Sequence, residues 1–439
     1  MHSSQLLAKY VVDMGPSATS PESREAALRC VLDLLSAAAA GFHESGTRAV
    51  RAMVRSQYGA GPAEIWFTGE RASASGALLC NSAAASALDL DDGFRMARGH
   101  PGAAAIPSAT AALPEAGGSA EGFLAAIVAG YEVGLRVAMG LPGYAPSGAW
   151  SPFAAIAAAG RVRNTSADHL AHAFAIAAQC APSLPGLAGL MGSDVKEGIP
   201  WGAATGMAAL QLAESGFTGP LAIFDDPPLF ANEHIVAGLG GEALIGGTYF
   251  KPYACCRHIH APLDAYAALA ERHRLSPSSV ESVEVHTYSA TFNLSNLPAP
   301  RNLVEAQYSV PFCIATLALR GKEALLPMDA SAIDDPAVRA FARCVTIHRD
   351  ATIEPMFPAE SPARVVVTSS SGRFESPVTM PRGDPADPLS WSDLQGKFMT
   401  ATRHALSSVR QRNLLDAVDR LRDGDLRPLR VALGAALGD

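Results

Sequence analysis

The sequence predicts a mainly α protein: a large all-helical domain made of N- and C-terminal parts, with an α+β domain inserted between them. Three observations predict this. Ala-rich apolar runs with helical spacing fill the chain up to about residue 250. Period-two segments with β-branched residues replace them at 280–287, 344–348 and 363–378. Helical spacing returns from 394 to 437. The divisions fall at 1–249, 250–390 and 391–439.

In chain order, Ser20-Pro21-Glu22 supplies an N-cap, a proline suited to the first helical position and an acidic first turn. The helix it opens runs through residues 25–40 and stops at Gly41. Similar runs follow at 73–88, 104–113, 119–137, 153–163, 167–181 and 203–214. They are apolar on most sides, as in the middle of a bundle. Residues 262–273 read as a further helix beginning at Pro262. VESVEVHT at 280–287 alternates as a strand, CVTIH at 344–348 is a second, and residues 363–378 form a hairpin with Gly372 in its turn.

Hydrophobic residues make up 49% of the 439 and charged residues 17%, the balance of a folded chain. A net charge of -8 argues against nucleic acid as a partner, so an anionic ligand needs a local cationic site. The N-terminal segment lacks the apolar core of a signal peptide. Glu132 and Arg136 interrupt the best membrane-span match, so a buried helix and no membrane partner are expected. Seven cysteines without a CxxC pair point to free thiols and a cytoplasmic location.

Four stretches carry chemistry. ALDLDDGFRMARGHPGAAAIPSA crowds Asp89, Asp91 and Asp92 at the end of an apolar helix, where the dipole disfavours them. His100 is either an acid–base group oriented by one of these aspartates or a capping residue. GSDVKEGIPWGAATG places Lys196 between glycines, aimed at an anion or simply solvated; it lacks P-loop spacing. FKPYACCRHIHAPLDAY collects Lys251, Arg257 and His260 beside two cysteines. Adjacent cysteines and close histidines are a poor tetrahedral set, so no metal is expected there. Anion binding needs only the cations, and an Arg fork suits a carboxylate. The alternative makes the cysteines and His258 packing residues at a domain junction, and the cysteines are read that way. In EAQYSVPFCIATLAL, Tyr308 precedes an apolar helix and is a proton donor, a clamp or a core tyrosine.

In this order, ALDLDD…HPGAAAIPSA, SDVKEG…GFTGP, FKPYACCRHIHAPLDA and EAQYSVPF resemble the MmgE/PrpD family, over roughly residues 20–398. The family includes 2-methylcitrate dehydratase, cis-aconitate decarboxylase and iminodisuccinate epimerase. The resemblance implies an all-helical domain with an inserted α+β lid domain, a homodimer, and no metal or organic cofactor. By position, His100 matches the family histidine, Asp89 and Asp92 its acidic pair, Lys196 its loop lysine and Tyr308 its lid tyrosine. Lys251, Arg257 and His260 match the cationic lid edge, and Cys256 a position that is histidine in the animal decarboxylases. Three departures stand out. Trp150-Ser151-Pro152 replaces a segment that often carries a histidine, which makes Trp150 an expected substrate contact. Gly93 replaces a common threonine, followed by Arg95 and Arg98. The spacing after Lys196 is also unusual.

The resemblance implies chemistry at a carbon next to a carboxylate. His100 is the expected base or acid, Asp92 or Asp89 its orienter, and Tyr308 or Lys196 the second proton carrier. Lys251, Arg257 and Lys196 are expected to hold the carboxylates. The expected activity is that of a dehydratase-type lyase on a small polycarboxylate such as 2-methylcitrate. An epimerase of iminodisuccinate type, a cis-aconitate-type decarboxylase and a catalytically silent anion or partner binder are the alternatives.

Overall fold

A computed structural model describes residues 1–114, 117–182 and 191–437. The chain is predominantly helical with small sheets. Pro21–Ala40 starts where the capping signal placed it: Ser20 Oγ accepts from Ser23 N at 3.1 Å, and Pro21 opens the first turn. The Ala-rich runs become helices Ala74–Ser86, Gly102–Ala111, Ala120–Gly140, Ser151–Arg163, Ala167–Cys180 and Ile199–Glu214. Small side chains let these backbones approach closely. A Cβ on Gly134 would lie 2.7 Å from the Ala154 Cβ, and one on Gly206 would lie 2.3 Å from the Pro152 carbonyl oxygen. Gly206→Val is therefore expected to lower stability by about 1–3 kcal/mol through overpacking, read as a reduced denaturant midpoint with an unchanged slope.

Two helices, Pro21–His43 and Ala120–Gly140, are long and apolar enough to cross a membrane; both lie mostly inside the fold. Burial of Glu132 and Arg136 is tolerated because they pair at 2.7 Å and bond further backbone groups.

Val280–Thr287, Val345–Arg349, Arg364–Ser369 and Gly372–Glu375 form one sheet, with the first strand paired parallel to the second and antiparallel to the third. Gly372 turns the hairpin at φ 136°, a region that favours glycine. Buried apolar residues fall into two clusters. One draws on residues 7–250 and 389–433. The other draws on residues 253–367, closed by Ala37, Leu88, Leu90 and Ala401. Helix Trp391–Ala401 returns to pack on Pro21–Ala40, where buried Lys397 meets Asp33 at 2.5 Å.

Three local expectations need correction. Helix Arg257–His273 starts five residues before Pro262, which lies inside it. Burial of Ile259, Leu263 and Tyr266 offsets the lost backbone hydrogen bond. Helices Ser45–Gln57 and Pro336–Ala342 are additional. Pro336–Ala342 is short, whereas Ser45–Gln57 is as long as Ala74–Ser86 and amphipathic, a periodic pattern that the sequence reading missed.

Candidate active site

The chain brings distant motifs together through a very short ladder. Gly93–Phe94 pairs antiparallel with Thr248–Tyr249 in the register Gly93↔Tyr249 and Phe94↔Thr248. Asp89 lies just before one strand and Lys251 just after the other, so they meet. Lys251 Nζ is 3.0 Å from Asp89 Oδ2 and donates to the Asp89 carbonyl at 3.0 Å. The ladder also accounts for Gly93: a Cβ there would lie 2.3 Å from the Tyr249 hydroxyl oxygen. Asp89 itself sits at φ 52°, a strained conformation held by these partners.

Three carboxylates surround the His100 ring, which is only 7% exposed. Nε2 lies 3.5 Å from Asp89 and 3.8 Å from Glu197; Nδ1 lies 3.7 Å from Asp91. Nδ1 is also 2.7 Å from the Asp92 carbonyl oxygen. A carbonyl only accepts, so the proton of the neutral ring belongs on Nδ1 and Nε2 is the basic atom. Burial and Lys251 push the His100 pKa down, but Asp91, Glu197 and Asp89 outweigh them and it is raised. Ser147 ties the cluster together. Its Oγ accepts from His100 N at 3.1 Å and donates to Glu197.

Asp89 is buried, which raises its pKa, but Lys251, Lys196 and His100 reverse this and hold it well below the usual carboxylate range. Tyr308 donates to Asp89 Oδ1 at 3.3 Å. Burial, then Asp89, push the Tyr308 pKa well above its ordinary value, so it stays protonated. The helix-end acids that the dipole disfavours are thus compensated. Lys196 Nζ donates to the Ser86 and Ala87 carbonyls at the end of the same helix, at 2.7 and 3.3 Å.

Two cavities meet at Asp89, His100, Glu197 and Tyr308. The first, about 190 Å³, adds Arg95, Arg98, Lys251 and Arg257. The second, about 430 Å³, adds Lys196, its one Lys or Arg among the described residues, against Glu44, Asp91 and Asp194. A carboxylate is attracted to the first and repelled by the second.

Several expected contacts fall elsewhere. Asp92 does not orient His100 through its carboxylate, which accepts from the Tyr131 hydroxyl at 2.8 Å; its backbone carbonyl does that instead. Burial and Asp33 raise the Asp92 pKa to about 7. His260 is not part of a cationic lip. It is fully buried, Nε2 faces the Cys255 carbonyl at 3.1 Å, and burial and Arg257 push its pKa well down. Residues two apart on a helix differ by about 200°, so His258 faces the cavity and His260 the interior. Trp150, expected as a substrate contact, lines neither cavity. It is fully buried beneath Gly99, where a Cβ would lie 2.7 Å from its ring. Lys196 lies on the second cavity, and Arg257 is largely consumed by Asp384 at 2.8 Å and by the Pro381 and Arg382 carbonyls.

Sequence reading passed over Glu197, Tyr144, Tyr288 and Phe357 and weighed His258 only as a packing residue; all five line the first cavity. Glu197 had a signal, its place beside Lys196 between glycines; the aromatic residues had none. Asp89, Asp91 and His100 bring one ligand atom each within 4.8 Å of one another. A cation there would compete with Lys251 for Asp89.

The family model for the MmgE/PrpD N-terminal domain matches residues 5–235, and that for the C-terminal domain matches residues 253–423. The chain belongs to the MmgE/PrpD family. The chain is also similar to the cis-aconitate decarboxylase of Aspergillus terreus, 26% identical over 392 residues, which cover 79% of either protein. The two family-model matches divide between residues 235 and 253, the stretch that contains Thr248–Tyr249. The short ladder that assembles the site therefore joins a strand of the first match to one lying between the two.

Proposed function

We propose that the first cavity is the active site of a cofactor-independent lyase of dehydratase type, acting at the carbon next to a carboxylate of a small polycarboxylate. One observation carries this: His100, whose basic atom is Nε2, lines the same cavity as Arg98 and Lys251. Arg98 donates to the Gly143 carbonyl at 3.0 Å, and among the described residues no carboxylate pairs with it. Cations hold the carboxylates and stabilise the enolate-like charge as the α-proton leaves.

His100 carries both proton transfers in this reading. Nε2 takes the α-proton, the C=C bond forms as the C–O bond breaks with its electron pair, and the imidazolium returns the proton to the departing hydroxide as water. Tyr308, held protonated, serves as a hydrogen-bond donor rather than an acid. An epimerase needs proton carriers on two faces, and Lys196 lies on the other cavity. Decarboxylation is the second reading. The cis-aconitate decarboxylase relative favours it, and there His100 would protonate the carbanion left by CO₂. We also propose a homodimer in a reducing, cytoplasmic setting. All seven cysteines are free, and Trp201, Leu212 and Phe217 are exposed.

The test is incubation with a panel of hydroxy di- and tricarboxylates, 2-methylcitrate among them, while following ultraviolet absorbance from the new C=C bond. Absorbance supports the dehydratase. Deuterium exchange at the α-carbon without absorbance supports an epimerase instead. Neither signal across a panel of polycarboxylates leaves a silent binder.

The pH dependence follows from the His100 environment. Its raised pKa places the acid limb of kcat/KM above the ordinary histidine value, with activity rising as pH rises through it. Glu197→Gln removes one of the three carboxylates and is expected to move that limb to lower pH. An unmoved limb would detach Glu197 from His100.

A further inference from the structure

The proposed reaction uses the charged wall of the first cavity and leaves an aromatic wall without a task. Tyr288 and Phe357 stack with ring centroids 4.6 Å apart and planes 12° apart. His258 tilts against both, at 5.3 and 5.6 Å. Its Nδ1 lies 2.7 Å from the Tyr288 hydroxyl, which pairs these two polar atoms with each other. Burial and Arg95 lower the His258 pKa to about 4, so the ring is neutral and adds no charge for an anion. Leu294 continues the apolar lining.

Charge sets a second limit. Arg95, Arg98, Lys251 and Arg257 line the cavity with His100. Asp89 and Glu197 line it too, and Asp384 pairs with both Arg95 and Arg257. The surplus is two positive charges with His100 protonated and one with it neutral. Behind this layer, Lys397 balances Asp33, and Lys196 stands beside Asp91 on the second cavity. A tricarboxylate exceeds the surplus in either state of His100, whereas a dicarboxylate matches it with His100 protonated and exceeds it by one charge with His100 neutral.

We propose that this cavity selects a dicarboxylate carrying an aryl or similarly flat apolar substituent, with the carboxylates toward Arg98 and Lys251 and the substituent on the Tyr288–Phe357 shelf. The inference rests on the reading of this cavity as the substrate site and narrows its substrate class.

Isothermal titration of the full chain with succinate, phenylsuccinate and propane-1,2,3-tricarboxylate tests it. None carries a leaving hydroxyl, so binding is read apart from turnover. Phenylsuccinate is expected to bind roughly 10–100-fold more tightly than succinate, from burial of one ring, and more tightly than the tricarboxylate. Phe357→Ala should reduce that preference by about tenfold with little effect on succinate. Phe357 is partly exposed, so the fold should survive. Arg98→Gln should weaken succinate and phenylsuccinate by the same factor. Tightest binding by the tricarboxylate, an undiminished phenyl preference in Phe357→Ala, or no binding by any of the three would overturn the inference. The expected preference without lyase turnover of any hydroxy acid would overturn only the proposed reaction.

Discussion

His100→Ala is expected to lower lyase turnover by about 10²–10⁴-fold while leaving the fold intact. The magnitude follows from the loss of the group that carries both proton transfers. The fold should persist because the ring sits against carboxylates and a cavity rather than in an apolar cluster; neither cluster includes it. Initial rates and thermal unfolding of the variant check both halves. A variant that unfolds would make His100 a structural cap at the Pro101 turn. A folded variant with near wild-type turnover would remove it from the chemistry.

Lys251→Met is expected to cost about 3–5 kcal/mol of stability, because it leaves Asp89 buried without the ammonium 3.0 Å away. The pH dependence should reverse in sign. In the wild type, Asp89 has a depressed pKa, so its contribution is complete above the unfolded value of about 3.9 and is lost only as pH falls through the folded pKa. Without its strongest cationic neighbour, burial raises that pKa, and the Asp89 contribution to stability then falls as pH rises toward neutrality. Urea unfolding at pH 5 and pH 8 distinguishes the two cases. An unchanged midpoint at both would show that the pair contributes nothing.

The helices of the first half were legible because each carries its own signal. The cap read at Ser20 accepts a hydrogen bond from the third residue of its helix, and the structure shows Ser73 and Ser166 doing the same. The alternation at Val280–Thr287 likewise depends on local residues only. Pro262 misled because tertiary burial outweighs a local preference. The site was legible as a set of motifs but not as an arrangement. Nothing in the order of residues says that a two-residue ladder joins Asp89 to Lys251, or that His258 and not His260 faces the cavity. Trp150 drew notice as a departure from the family pattern, yet it lies beneath Gly99, and the cavity wall is supplied by Tyr144 and Glu197. The aromatic shelf comes from residues 258, 288 and 357, a spread that sequence spacing cannot show.

In the proposed reaction His100, and not Tyr308, moves the protons. Proton NMR of a turned-over hydroxy polycarboxylate in D₂O, with His100→Ala and Tyr308→Phe run side by side, tests this most directly. The predicted result is loss of both α-deuterium incorporation and olefin formation in His100→Ala, with Tyr308→Phe within about tenfold of wild type, the cost of one hydrogen bond. Full exchange in His100→Ala together with its loss in Tyr308→Phe would contradict the account.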